Sequence, residues 1–387
     1  MALLHTLPVR DGFAMPAEFA PHVGTVLIWP VRPGSWGRDP SAAQRAFGAV
    51  IQEIARSEDV HLLAAPADLP AAQAAVAGIP RVHLHPIESD DAWARDVAPT
   101  FVTDGHTLRG ISWRFNAWGG EVDGLYANWE KDDAVAPALC EALGADCYDA
   151  GDFVLEGGSI HTDGEGTLLT TEACLLSAGR NPALHREEIE QKLADYLGIR
   201  KVLWLPRGIV DDETNEHVDN VCAFTAPGEV VLAWTDNTAD PQYPLSLASR
   251  QYLESVTDAA DRKLKIRLLP IPDHPILCTE ADCAAYDFAP GEDVRAPGDR
   301  LAASYCNFYF TNDAVLVPQF GGENAASDAR ALEILAEACP NRRIVGLPAR
   351  EILLGGGNIH CITQQIPATP YRYEGRFSAL LGERYIS

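Results

Sequence analysis

The chain has 387 residues, of which 47% are hydrophobic and 22% charged, enough to bury a sizeable core. Its 30 Lys and Arg stand against 55 Asp and Glu, a net charge of −25. A surface of that sign repels nucleic-acid phosphates and anionic membranes and mildly favours cationic ligands. No run of about 18 apolar residues is present to span a membrane. The opening MALLHTLPVRDGF has no basic stretch leading into a long apolar core, so no secretory signal is expected. Nine cysteines, widely spaced and without a CxxC pair, read as reduced thiols of a cytoplasmic protein.

Residues 1–20 read as a polar lead-in. Val23–Pro30, VGTVLIWP, is a short apolar run expected to form a buried strand. Ser41–Ser57 is expected to be a helix, with Phe47, Val50, Ile51 and Ile54 on one face. A strand at Val60–Ala64, an Ala-rich helix over 67–78 and a strand at Arg81–Pro86 follow. A rhythm then sets in, in which a polar cluster leads into a β-rich run, a turn and another β-rich run. Asp90–Val102 passes through Asp104-Gly105 to Leu108–Phe115, and Glu156–His161 passes through Asp163–Gly166 to Thr167–Thr171. His217–Thr225 passes through Pro227-Gly228 to Val230–Thr235, and Ser304–Phe310 through Asn312-Asp313 to Ala314–Gln319. These turns carry the Gly, Asn and Asp that hairpins use. Helices separate the units. One is expected to start with Asn181 as N-cap and Pro182 at the first helical position, and another spans Asp328–Cys339.

Leu155–His161 reads LEGGSIH and Leu354–His360 reads LGGGNIH, matching at five of seven positions. An internal echo of this kind predicts a repeated ββαβ-like unit, in a closed ring of four to five copies and not a linear array. Length alone suggests about two or three domains. No interdomain linker is visible, however, and residues 1–387 read as one domain. The loop-like stretch 286–300 reads as an insertion within the pattern.

Four constellations carry chemistry. Cys361 follows three consecutive glycines, Gly355, Gly356 and Gly357, and a thiol presented beyond a tight turn is a candidate nucleophile. Asp90–Asp96 gathers three acids, Trp93 and Arg95; Asp96 could receive a cation against Trp93 as an apolar or cation–π wall. Glu156 precedes two glycines and can face a cavity at a strand end. His217 and Asp219 are two apart and share a face if they lie on a strand. His217 supplies an acid and base near neutral pH. No third nitrogen or thiolate lies at short spacing from the His-x-Asp pair, so no metal is expected. Acids around a thiol oppose thiolate formation unless the substrate is itself a cation that neutralises them. A guanidinium fits, being planar, rich in N–H donors and electrophilic at carbon.

The stretches FAMPAEFAPH, DDAWARDVAPTFV, FNAWGG, VLEGGSIHTDGEGTLLTTEACLL, WLPRG, DETNEHVDN, WTDNTADPQY, LAASYCNFYF, VPQFGGENA and AREILLGGGNIHCITQQ span nearly the whole chain. They resemble the agmatine deiminase (peptidyl-arginine deiminase-like) family of the guanidine-modifying pentein superfamily. The resemblance implies an α/β fold, a five-bladed α/β propeller of ββαβ-type repeats with pseudo-fivefold symmetry, and a homo-oligomer in the cytoplasm that needs no metal or organic cofactor. It implies Cys361 as nucleophile, His217 as general acid and base, and Asp96 and Asp219 as guanidinium-binding carboxylates. Glu156 would orient His217 or the guanidinium, and Trp93 and Gly356 would line the pocket. The implied reaction is hydrolysis of agmatine to N-carbamoylputrescine and ammonia through a covalent S-alkylthiouronium on Cys361. The competing readings are an arginine or other guanidino-compound deiminase of the same fold and a non-catalytic pentein binding module. The chain departs from the usual family pattern at Glu216 and Ala98, where glycine is common. Glu216 is expected to affect the pKa of His217 or the rim of the pocket.

Overall fold

The computed structural model of the chain describes residues 1–292 and 294–369. Its strands form five small sheets. Four are drawn from consecutive stretches of chain in one way: an inner strand turns back as an antiparallel hairpin, a helix crosses over, and an outer strand returns parallel. The hairpins are Thr100–Thr103 with Leu108–Arg114, His161–Thr162 with Thr167–Thr171, Cys222–Ala226 with Glu229–Trp234, and Tyr309–Phe310 with Ala314–Gln319. Their parallel partners are Asp146–Val154, Lys201–Leu205, Lys265–Pro270 and Arg343–Pro348. Parallel neighbours need such a crossover, because a tight turn only reverses the chain.

The fifth sheet is assembled from distant parts of the sequence. His22–Ile28 and Asp59–Ala64 pair in parallel around the helix Ser41–Ile54, and Val82–Pro86 extends the sheet after the helix Leu69–Ala75. Its inner strand is Gln364–Pro367, antiparallel to His22–Ile28. Inner strands thus begin at Thr100, His161, Cys222, Tyr309 and Gln364. The interval is widest between Cys222 and Tyr309, where the expected insertion at 286–300 falls.

Local sequence explains the elements. In the first hairpin Asp104 Oδ1 accepts from the amides of His106 and Thr107 at 2.8 and 2.6 Å. Gly228, at φ +76°, makes the tight reversal after Pro227. The helix Ser41–Ile54 buries Ala43, Phe47, Val50, Ile51 and Ile54, and each fully buried large apolar side chain contributes roughly 1.5–3 kcal/mol. Among the described residues no helix is long and apolar enough to cross a membrane.

Two expectations are corrected. Asn181 does not cap a helix: the helix is Arg186–Leu197, opened by His185 and Glu188 in a capping box. Asn181 instead clamps the backbone of Val154, accepting from its N–H at 3.0 Å and donating to its C=O at 2.8 Å. The lead-in is not merely polar: Leu3–Leu4 pairs with Asp146–Val154, and Glu18 is buried. The 286–300 stretch, expected as an insertion, packs through Tyr286 and Arg295 against the Leu354 carbonyl.

Candidate active site

A pocket opens beside the segments just before the inner strands, with Asp96, His217, Asn220 and Cys361 in its lining. Asp96 lies shortly before Thr100, Glu156 before His161, Asp219 before Cys222, Asn307 before Tyr309 and Cys361 before Gln364. Each sheet therefore delivers one polar or nucleophilic group to this region. Of the sequence-predicted site residues, Trp93, Asp96, His217, Gly356 and Cys361 line the pocket, and Glu156 and Asp219 stand behind it against His217 and Cys361.

The Cys361 thiol is almost fully buried, at 8% exposure. Its Sγ lies 3.2 Å from Asn307 Nδ2 and 3.6 Å from Asp219 Oδ2. Asn307 is fixed because its Oδ1 accepts from the His360 amide at 3.0 Å, which turns its Nδ2 toward the sulfur. Burial, then the charges of Asp219 and Asp96, push the thiol pKa well above its usual value. Gly357 is required here: a Cβ on it would come 2.9 Å from Cys361 Cβ and 2.6 Å from the Trp93 ring.

His217 does not lie on a strand with Asp219, as the two-residue spacing suggested. It precedes a single 3-10 turn, Val218–Asn220, which still brings both side chains inward. His217 Nε2 faces Glu156 Oε2 at 3.5 Å. Glu156 Oε1 in turn meets Arg180 Nε at 2.8 Å, with both side chains fully buried. Burial disfavours charge on His217. Asp96, the Cys174 thiol and Glu156 outweigh it and hold its pKa well above the ordinary imidazole value. For Glu156 burial raises the pKa, but Arg180 and His217 bring it below normal.

Asp96 accepts from the Gly158 amide at 2.8 Å and from Trp118 Nε1 at 2.9 Å. Burial pushes its carboxyl up to about 6; His217 pulls the other way, while Asp219 and Glu156 add to the rise. A Cβ on Gly158 would lie 2.5 Å from His217 Nδ1, 2.9 Å from Asp96 Oδ1 and 3.1 Å from Asp219 Oδ2. Three functional atoms close around this one α-carbon, and only hydrogen leaves them room.

Asp219 Oδ2 also meets His360 Nδ1 at 2.8 Å, and His360 Nε2 meets Glu18 Oε2 at 2.6 Å. Glu18 is paired with Arg95 at 3.3 Å. Burial would raise the Asp219 pKa, yet the His360 bond and the nearby cations bring it below normal. Sequence reading missed Glu18, Asn307, Arg180, Trp118 and His360. Only His360 carried a signal, as the last residue of the echoed motif.

Trp93 lines the pocket, 5.0 Å from Trp36 between ring centroids, and both indoles donate to Asp91, at 3.0 and 2.7 Å. Gly356 also lines it, at φ +115°, and a Cβ there would come 2.7 Å from Arg295 Nη2. Arg295 forks onto Glu213 at 2.9 and 2.6 Å and donates to the Leu354 carbonyl, to which Tyr286 also donates. Glu216 is turned away. It pairs with Arg207 and accepts from the Gly208 amide at 2.6 Å, is not among the pocket-lining residues and is not a cause of the His217 shift. Its carboxylate is thus committed to Arg207 and Gly208 and not to His217.

Two buried trios could bring three ligand atoms to one metal ion: Glu18, His161 and His360, and Glu156, Cys174 and His217. Their carboxylates already pair with Arg95 and Arg180, and those guanidinium charges oppose a metal cation.

A buried thiol, a raised imidazole and converging carboxylates can carry nucleophilic chemistry on a cationic carbon centre. Residues 14–367 match the family model described as Porphyromonas-type peptidyl-arginine deiminase. The chain is 50% identical over 369 residues to the agmatine deiminase of Ectopseudomonas mendocina, covering 95% of this chain and 99% of that protein. The agmatine deiminase of Stutzerimonas stutzeri is 48% identical over the same length, with coverages of 95% and 99%. A solved structure of the Enterococcus faecalis agmatine deiminase superposes with a TM-score of 0.91 at 44% identity, covering 95% of this chain and 99% of that one. Fold and site define a mixed α/β enzyme of the guanidine-modifying class. The chain belongs to the Porphyromonas-type peptidyl-arginine deiminase family.

Proposed function

We propose that the protein is a hydrolase that deiminates agmatine to N-carbamoylputrescine and ammonia. The observation that carries this is the meeting of Cys361, His217 and Asp96 in one pocket, with Asp219 behind the thiol and Glu156 behind the imidazole, in a chain similar over 95% of its length to agmatine deiminases. The finer architecture we infer is a five-bladed propeller of ββαβ units about a pseudo-fivefold axis. Its support is the connection pattern shared by the sheets and the delivery of one site residue from each. A homo-oligomer in the cytoplasm is part of the same proposal, and the nine free cysteines fit a reducing compartment.

Asp96 and Asp219 hold the guanidinium. Its positive charge offsets the acids that keep the thiol protonated, so Cys361 releases its proton to solvent as substrate binds and regains one when product leaves. The sulfur attacks the guanidinium carbon to give a tetrahedral adduct. His217, charged at rest, protonates the departing nitrogen, and ammonia leaves an S-alkylthiouronium. The now neutral His217 takes a proton from water as its oxygen bonds to the carbon. Collapse to the ureido carbonyl breaks the C–S bond and returns the thiolate, and the remaining hydroxyl proton passes through solvent to ammonia, giving ammonium. Glu156, held by Arg180, keeps the His217 ring oriented. Trp93 forms an apolar wall.

An arginine deiminase must also hold an α-carboxylate. Two arginines, Arg32 and Arg295, line the pocket. Each is committed to an acid, Arg32 to Glu292 and Arg295 to Glu213, and neutralised pairs favour the carboxylate-free substrate. The test is mass-resolved product analysis with agmatine and arginine in parallel. Agmatine alone should be converted, and Cys361→Ala should bind agmatine without turning it over. Conversion of arginine instead would move the substrate, and turnover by Cys361→Ala would refute the covalent route.

A further inference from the structure

We propose that His360 is a positioning residue for this reaction, a permanently charged imidazolium clamped between Asp219 and Glu18 that keeps the Asp219 carboxylate ionised and aimed at the guanidinium. The inference deepens the deiminase reading and rests on it for its kinetic part.

The argument is one of hydrogen count. His360 uses both ring nitrogens on carboxylates, Nδ1 on Asp219 at 2.8 Å and Nε2 on Glu18 at 2.6 Å. An ionised carboxylate only accepts, so an imidazole between two of them must donate from both nitrogens and carry a charge. Glu18 is held ionised by Arg95 at 3.3 Å and by the Phe310 amide at 3.1 Å. Burial works against that charge, but His360 and Arg95 keep the Glu18 carboxyl well below its usual range.

The groups facing His360 come from several elements. Glu18 comes from the N-terminal segment, Asp219 from the Val218–Asn220 turn, Arg95 from the Ala94–Val97 helix and His161 from the strand His161–Thr162. Burial and Arg95 push the His360 pKa down, Glu18 and Asp219 push it up, and the balance lies above the ordinary value. His161, the counterpart of His360 in the echoed motif, makes the contrast. Its ring lies 6.1 Å away, its Nδ1 accepts from the Phe224 amide, and burial drives its pKa down to about 4. The same motif histidine is neutral in one unit and charged in the other because only one of them bridges two acids.

The consequence for Asp219 is direct. It is fully buried beside a thiol 3.6 Å away and the Asp96 carboxylate. Without a fixed cation behind it, burial would drive it toward the protonated form, and a protonated acid does not dock a cation.

Two measurements test this. In wild-type protein with ¹⁵N-labelled histidine, the resonances lost in His360→Gln should show both ring nitrogens protonated at pH 8, and in Glu18→Gln they should shift. A neutral tautomer at that pH overturns the proposal whatever the substrate is. In kinetics, His360→Gln should move the acid limb of kcat/KM for agmatine upward by about one pH unit from its wild-type position near 6, a roughly threefold loss near pH 6.5 that approaches tenfold by about pH 5. Above about pH 8.5 the loss should shrink to within about threefold, since Asp219 is ionised again. Glu18→Gln should move the limb the same way, and the double variant should be no worse than His360→Gln alone, as expected of coupled groups. Equal loss at every pH would mark a merely structural residue and overturn the positioning role. Should wild-type protein leave agmatine untouched, the substrate reading fails, while the imidazole spectrum still decides the charge of His360.

Discussion

Replacing Gly158 by alanine places one methyl group at the point where the site is tightest. The added Cβ would stand 2.5 Å from His217 Nδ1, whereas ordinary contact begins near 3.4 Å. The imidazole must therefore recede by about 0.9 Å, and a misplacement on the order of 1 Å at a reacting group costs about 100-fold in rate. That factor corresponds to about 2.7 kcal/mol of transition-state stabilisation. Asp96 and Asp219, at 2.9 and 3.1 Å from the same methyl group, must move as well, so the guanidinium dock widens and KM should rise along with the fall in kcat. Overpacking of a tight interior costs about 1–3 kcal/mol of stability, which lowers the melting temperature without unfolding the protein at room temperature. The assay is steady-state ammonia release from agmatine beside a thermal melt. Gly48→Ala is the control: it lies within the helix Ser41–Ile54 with nothing within 4 Å of the new Cβ, and should leave kinetics unchanged while adding up to about 1 kcal/mol of stability. A Gly158→Ala enzyme retaining kcat/KM within about fivefold of wild type would refute the geometric reasoning, because the loss drawn from the displacement is about 100-fold.

Asp96 must be ionised to receive a cation. With its carboxyl raised to about 6, KM for agmatine should climb as pH falls through that value and stay flat above it; a KM independent of pH between about 5 and 7 would remove Asp96 from substrate binding. Arg180→Gln leaves the buried Glu156 with only His217 to balance its charge, and breaking such a buried pair costs about 3–5 kcal/mol, to be read as a lower urea midpoint together with a fall in kcat. Glu216→Gly gives up the Arg207 pair but removes a non-glycine residue from φ +67°. These effects offset, so stability should change by less than about 1 kcal/mol, and kcat/KM for agmatine should stay within about twofold.

Local pattern made much of this protein legible. The face of Phe47, Val50, Ile51 and Ile54 and the turns at Asp104-Gly105 and Pro227-Gly228 follow from periodicity and glycine chemistry, and all form as expected. Cys361, His217 and Asp96 stood out because their own neighbours in sequence marked them. Glu18 had no such mark. Its role comes from His360, 342 residues away, and from Arg95, 77 residues away, and no window of sequence holds both partners. Asn307 was hidden for the same reason among the aromatics of SYCNFYF, and its contact with the thiol spans 54 residues. The error at Asn181 had a different cause. Asn-Pro is a fair helix start by propensity, but here the amide finds a better use in clamping Val154, and the helix takes its cap from His185 and Glu188.

The sheet that carries Cys361 joins an early strand, His22–Ile28, to a late one, Gln364–Pro367. A polypeptide emerging from the ribosome can complete its other sheets in order, yet it holds no nucleophile in place until residue 367 is free to pair. Partial chains are thus chemically silent, and a single late docking event sets the moment when an enzyme molecule is switched on. Such long-range pairing is slow to form, which makes the zipping of Gln364–Pro367 onto His22–Ile28 the step where folding and the onset of activity should coincide.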